Sequence, residues 1–389
     1  MRSSRNSAGE PARHRSDVPA DNRMSRREFL AGAVAGAVWS AVCTQTAQAE
    51  SPRPPYPDVF ARDGGLVIVP AKGEIVIASD FHTRHRDFEK FLERTSLADR
   101  LKDRDDFYAL ILGDVVDAKP GDAHAEPEGD SRMVDRIREI RTRLGKAGER
   151  LIYIQGNHER EVVRIYDALK KQCGLNARNR RRLVEALYAS ENGAFFRQFN
   201  FLERITDEQF EFLRSLPVAV LMKNGIAAAH AGPARDCRSL LPVINCEDRT
   251  VEEMVWSRPA NIQIGGYTAE DLGTFLRTME GAALLVVGHT PLGALPRGDV
   301  RKGVGVFADR QIILATSYGW EPGEKSYLAL RLNRRYEAFD ALAVGREIIR
   351  LEPRENGAAT GPGGAGASCN ISREWRECHS ISNVIPRIR

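Results

Sequence analysis

The chain has 389 residues, 42% hydrophobic and 28% charged, with a formal net charge of +4. These values are ordinary for a globular protein, and a balance this mild gives no ground for a nucleic-acid partner. The length fits one large domain or two modest ones.

The first informative segment is Ser25-Arg26-Arg27-Glu28-Phe29-Leu30, paired arginines ahead of the apolar stretch Ala31 to Val42. Ala47-Gln48-Ala49 then offers a small-residue cleavage site. The arrangement resembles a bacterial twin-arginine signal. It implies recognition by the twin-arginine export machinery, cleavage near residue 49 and a periplasmic or secreted product. The apolar stretch is shorter than the roughly 20 residues needed to span a bilayer, so no stable membrane anchor is expected. Met24 directly precedes the signal, and residues 1–23 read as an over-extended start. Export makes disulfides possible, but Cys173, Cys237, Cys246, Cys369 and Cys378 are an odd number after cleavage.

Residues 50–73 open proline-rich and read as a linker. From Glu74 the pattern changes. Ile75 to Ala78, Phe107 to Leu112 and Leu151 to Ile154 are apolar runs of strand length, which suits strands covered on both faces. Met133, Ile137, Ile140 and Leu144 recur at helical spacing between the second and third runs. Phe88 and Leu92 fit a helix in the first gap, so parallel strand–helix–strand units are expected. About 161–215 reads as a helical insert, with Arg178 to Arg182 as either a solvated helix start or a phosphate-attracting lid. Strands resume at Val218 to Met222 and Ile226 to Ala229, joined at the turn signal Asn224-Gly225. Leu284 to Val287, Gln311 to Ala315 and Tyr327 to Leu332 follow. Residues 74–352 thus read as one α/β domain and 353–389 as a flexible tail rich in glycine and alanine.

Chemistry gathers at the ends of these strands. Asp80-Phe81-His82, Gly113-Asp114-Val115-Val116-Asp117, Gly156-Asn157-His158-Glu159, His230-Ala231-Gly232 and Gly288-His289-Thr290-Pro291 each follow an apolar run. In α/β sheets ligands bind beyond the carboxyl ends of the strands, so Asp80, Asp114, Asn157, His230 and His289 should converge on one rim. Carboxylate and amide oxygens mixed with imidazoles suit Mn, Fe or Zn better than Ca.

On these motifs the chain resembles the calcineurin-like metallophosphoesterases, over about Glu74 to Tyr318. Met254-Val255-Trp256-Ser257-Arg258-Pro259 is similar to an element of their bacterial and bacteriophage phosphoprotein phosphatase branch. The resemblance implies two packed mixed β-sheets flanked by helices, and two divalent or trivalent metal ions. Asp80, His82 and Asp114 would hold one ion. Asp114 would bridge to a second, held also by Asn157, His230 and His289. A hydroxide between the ions would attack phosphorus. His158 would serve as general acid with Asp117 as its partner, since a carboxylate beside an imidazole favours the protonated ring. Arg258, with Asn157, would bind the phosphate of the substrate. Glu159 is expected to support its loop.

Some family positions differ. Ala118 and Lys119 follow Asp117 where Arg-Gly is usual, Gln155 stands where many members have arginine, and Ser79 and Thr83 flank the first motif in place of glycines. Lys119 or Arg160 is expected to compensate. Val116 and Asp117 occupy the region where purple acid phosphatases carry a tyrosine, which argues against that relative. The expected activity is hydrolysis of phosphomonoesters, on a phosphoprotein or a small phosphorylated molecule. The alternatives are a phosphodiesterase or dinucleotide polyphosphate hydrolase, and, outside enzymes, a non-catalytic metal-binding scaffold.

Overall fold

Thirteen strands form among the residues that the computed structural model describes, 55–352. They are β1 (Ala61–Asp63), β2 (Leu66–Val69), β3 (Glu74–Ala78), β4 (Phe107–Ile111), β5 (Leu151–Tyr153), β6 (Ala219–Met222) and β7 (Ile226–Ala229). Then come β8 (Leu284–Val287), β9 (Val300–Arg301), β10 (Val304–Phe307), β11 (Gln311–Ile313), β12 (Ser326–Arg331) and β13 (Ile348–Arg350). The α-helices are α1 (His85–Arg94), α2 (Leu97–Asp103), α3 (Gly129–Leu144), α4 (Asn157–Cys173) and α5 (Arg180–Tyr188). They continue with α6 (Gly193–Phe196), α7 (Asp207–Arg214), α8 (Leu241–Ile244), α9 (Asp248–Trp256) and α10 (Ala269–Thr278). The export signal and the tail lie outside the described residues. Among the described residues no helix is long and apolar enough to cross a membrane.

Two mixed sheets result. One has the order β13-β12-β3-β4-β5 and the other β1-β2-β6-β7-β8-β11-β10-β9. In the first, β3, β4 and β5 are parallel, with Ile75 beside Tyr108 and Leu110 beside Ile152. In the second, β7 and β8 are parallel, while β6 and β7 form the hairpin expected at Asn224-Gly225, where Gly225 has a φ of +91°. The continuous apolar runs follow from burial on both faces. Ile75, Ile77 and Leu110 face Val220, Met222 and Val286 between the sheets, whereas Val76, Ala78 and Ile111 meet helical residues such as Met133, Ile137 and Val162. Leu285 and Val287 turn outward to Met254, Leu272 and Phe275 on the second sheet's outer face. The layers are helices, sheet, sheet, helices.

One expected boundary is corrected. Residues 50–73 do not form a linker throughout, because β1 and β2 lie within them. β2 is wholly buried and pairs in parallel with β6 from Leu66 to Val69. Four consecutive aliphatic residues outweigh the proline-rich context that precedes them. The insert is helical as expected, with α4 through α7 spanning most of it. At Thr206 the hydroxyl accepts the Gln209 N–H and the Gln209 side chain returns to the Thr206 N–H, a capping box that starts α7.

Candidate metal centre

Pairing of the parallel strands continues past their ends and laces the loops together. Leu112 N–H donates to Ala78, His82 N–H to the Asp114 carbonyl and Gly288 N–H to His230. The site therefore draws from both sheets. Asp80, His82, Asp114 and Asn157 follow β3, β4 and β5, whereas His230 and His289 follow β7 and β8. The expected single rim is a seam between two layers. The motif glycines are explained by close approach. A Cβ on Gly156 would lie 2.4 Å from Asp114 Oδ1, and one on Gly288 2.2 Å from Asp80 Oδ2. Asp80, His82, Asp114, Asp117 and His289 all have positive φ, a conformation that costs energy and concentrates at functional sites.

All six expected ligands are buried and brought together. Asp114 is the centre. His82 Nε2 lies 3.3 Å from its Oδ2, and His230 Nε2 lies 3.3 Å from its Oδ1. Nδ1 of His82 faces the carbonyls of Val116 and Asp117 at 3.2 and 3.1 Å, and Nδ1 of His230 faces that of Leu112 at 2.6 Å. Those carbonyls accept the ring proton, which leaves each Nε2 lone pair aimed at a carboxylate oxygen. Backbone contacts of this kind orient metal-binding histidines. Asn157 Oδ1 lies 3.0 Å from His230 Nε2 and 2.9 Å from His289 Nδ1. Asp80 Oδ1 is 3.9 Å from His82 Nε2, and the Asp80 carboxylate accepts the His289 N–H.

The set fits metal ions. Lone pairs converge from two sides on one carboxylate, and His289 Nε2 is buried without a hydrogen-bond partner among the described residues. Asp80, His82 and Asp114 could hold one ion; Asp114, Asn157, His230 and His289 could hold another. Electrostatics agree. Burial pushes the Asp80 carboxyl up, with Asp114 adding to the shift. Burial acts in the same sense on Asp114, but the His230 and His158 rings outweigh it and hold that carboxyl well below the usual range. Burial lowers His230, yet the Asp114 charge and hydrogen bond prevail and push it up to about 9. The site attracts positive charge.

His158 and Asp117 meet as expected, with His158 Nδ1 2.8 Å from Asp117 Oδ2. His158 comes within reach of His82 and Asp114, but both its ring nitrogens are engaged, the second by Lys119 Nζ at 2.6 Å from Nε2. The expectation that Asp117 keeps the ring protonated is corrected. Burial and then the Lys119 ammonium push His158 well below its ordinary value, while burial pushes Asp117 well up. A carboxylate raises an imidazole only where desolvation does not exceed the attraction.

Glu159 does support its loop. Its carboxylate accepts the backbone N–H groups of Asp114, Val115, Val116 and Gly156 and the hydroxyl of Tyr153. Arg258 is held by its backbone, whose N–H donates to Gln263 and whose carbonyl accepts from Tyr267. Its guanidinium has no hydrogen bond or ion pair among the described residues, and burial pushes it down to about 10 against the pull of Asp114 and Asp80. The two candidates for a compensating cation separate here. Arg160 is tied to Asp248 at 2.9 Å and to Glu252 at 3.4 Å, whereas Lys119 points into the site.

Sequence reasoning missed what the insert contributes. Phe201 N–H donates to Asp117 Oδ1 at 2.6 Å, Asn200 hydrogen-bonds both backbone groups of Ala118, and the Phe199 ring lies 5.3 Å from that of His158. The basic run stays at the surface, where Arg181 pairs with Glu185, so a solvated helix start is the better description. Tyr318, 5.2 Å from the His82 ring, was also missed. Nothing in the pattern around Phe199 or Tyr318 marks them.

No protein-family model and no curated protein matches the chain. Among solved structures it is similar to a serine/threonine phosphatase from Saccharomyces cerevisiae, with 16% identity, a TM-score of 0.41 and coverage of 67% of this chain and 73% of that one. A cold-active protein-tyrosine phosphatase from a psychrophilic Shewanella matches at 17% identity and a TM-score of 0.40, covering 71% and 79%. A metallophosphoesterase from Sphaerobacter thermophilus matches at 17% identity and a TM-score of 0.37, covering 69% and 90%.

Proposed function

We propose that the protein is an exported, dinuclear metal-dependent phosphoesterase that hydrolyses phosphomonoesters. The observation that carries this reading is Asp114, whose two carboxylate oxygens each face the Nε2 atom of a different histidine, one from each sheet. When bound, two ions would supply Lewis-acid charge and activate the attacking water. The chain's own residues do the rest. Arg258 offers an unpaired fork of N–H donors to the phosphoryl oxygens. His158, Asp117 and Lys119 line the side opposite the arginine's approach to the carboxylates' shared charge, as a hydrogen-bonded row suited to proton transfer. The metals are Mn, Fe or Zn, and the twin-arginine segment supports export to the periplasm or beyond.

The test compares 4-nitrophenyl phosphate with its bis ester at fixed manganese, alongside metal analysis of the cleaved protein. Faster monoester turnover with two ions bound is expected. Much faster bis-ester turnover would favour a diesterase or dinucleotide polyphosphate hydrolase. Fewer than two ions in folded, metal-supplemented protein would favour a non-catalytic scaffold.

A further inference from the structure

Lys119 occupies the one atom of His158 through which that ring could meet a substrate. Its Nζ lies 2.6 Å from His158 Nε2, while His158 Nδ1 is taken by Asp117 Oδ2 at 2.8 Å. A neutral imidazole has one donor and one acceptor, so a ring that accepts from Lys119 at Nε2 has no proton there to give. The lysine ammonium has three N–H bonds and uses one on the ring. It also lies 5.8 Å from the centroid of the Tyr318 ring, and no carboxylate comes within ion-pair distance of it among the described residues. Its charge is felt by Asp114, Asp80 and Arg258, which places it within the electrostatic reach of the metal ligands and of the phosphate-binding guanidinium.

The backbone aims this side chain. Ala118 gives its N–H to Asn200 Oδ1 at 3.3 Å and takes Asn200 Nδ2 on its carbonyl at 3.0 Å. On the other side, the Lys119 carbonyl accepts the Asp122 N–H at 3.1 Å, and Asp122 is clamped by Arg84 through two bonds of 2.8 and 2.9 Å. The turn is fixed at both ends, so the lysine enters the site from a rigid base.

We propose that Lys119 is the catalytic residue that protonates the leaving-group oxygen, with His158 and Asp117 behind it as positioning residues. This rests on the phosphoesterase reading. Water attacks phosphorus and the P–O bond to the leaving group breaks, its electron pair going to the leaving oxygen. That oxygen takes a proton from Nζ, leaving a neutral amine that accepts His158's proximity without a charge. The proton released by the attacking water returns to solvent, and solvent restores the ammonium.

The experiment measures kcat and KM of the manganese-loaded protein on phenyl phosphate and on 2,4-dinitrophenyl phosphate, whose leaving group needs no proton. Lys119→Met should lose about 10²-fold or more in kcat on phenyl phosphate, within the general-acid range, and far less on the dinitrophenyl ester. Lys119→Arg keeps the charge but cannot release a proton, so it should show the same contrast. Equal losses on both esters, or none, would overturn the proposal. A wild-type protein inactive on both would instead overturn the phosphoesterase reading on which it depends. A second readout needs no activity. In the metal-free protein, the His158 ring ¹⁵N signals, assigned with His158→Asn, should move in Lys119→Met, and unmoved signals would refute the contact itself.

Discussion

Replacing Glu159 by glutamine should destabilise the fold by about 3–5 kcal/mol, the range for breaking a buried charge network. The carboxylate is wholly buried and receives five donors, two on Oε2 and three on Oε1. Glutamine keeps one oxygen and turns an NH₂ group toward the donors of the other, so at least two bonds are lost. Hydrogen bonds to a charged group contribute about 1.5–3 kcal/mol each, which gives the same range independently. Because Asp114 and Val115 lose their anchor, metal retention should fall as well. Urea unfolding of the metal-free variant and wild type, with metal content measured on parallel samples, tests both parts. A stability loss below about 1 kcal/mol with undiminished metal would refute the reasoning, since donors left unpaired in a buried site are costly.

Asp114→Asn should abolish nearly all activity while leaving the circular dichroism spectrum unchanged, with native mass spectrometry showing fewer bound ions than in wild type. Arg258→Ala should weaken phosphomonoester binding by roughly 10- to 100-fold, as expected for a lost charged hydrogen bond. Arg160→Ala should leave KM unaltered, because that arginine is already tied to Asp248 and Glu252. His230 supplies a pH dependence. Its value in the folded, metal-free protein is raised from 6.5 to about 9, so its protonation adds stability that is complete below pH 6.5 and is lost as pH rises through 9. A metal must displace that proton, so affinity should rise about tenfold per pH unit between those limits. Calorimetry in buffers of different ionisation enthalpy would count the released proton, and a pH-independent affinity would remove the argument.

The strand-end motifs were legible because a buried strand and a polar residue after it leave a local trace. Ile226 to Ala229 and Leu284 to Val287 coincide with β7 and β8 in the structure. β10 was not legible, since Val304-Gly305-Val306-Phe307 is short and broken by a glycine. That glycine is needed because a Cβ there would lie 2.5 Å from Leu295 Cδ1. β2 was hidden by its proline-rich approach. The split of the site between two sheets has no sequence signal, because motif order is the same whether strands share a sheet or face each other. The state of His158 was misread for a related reason. The pairing with Asp117 is local in its motif logic, but the desolvation and the Lys119 contact that decide the shift arise only in three dimensions.

The seam between the sheets makes the thickness of the interior a determinant of the site. Ligands from β3, β4 and β5 are held apart from those of β7 and β8 by side chains such as Ile77, Leu110, Val220 and Val286. Interiors are packed as densely as organic crystals, so trimming one of these lets the layers settle by a fraction of an ångström. Coordination bonds tolerate only small errors in length, about 0.2 Å. Aliphatic residues that touch neither ion nor substrate therefore calibrate the gap between the two halves of the centre, and the sandwich acts as its calliper.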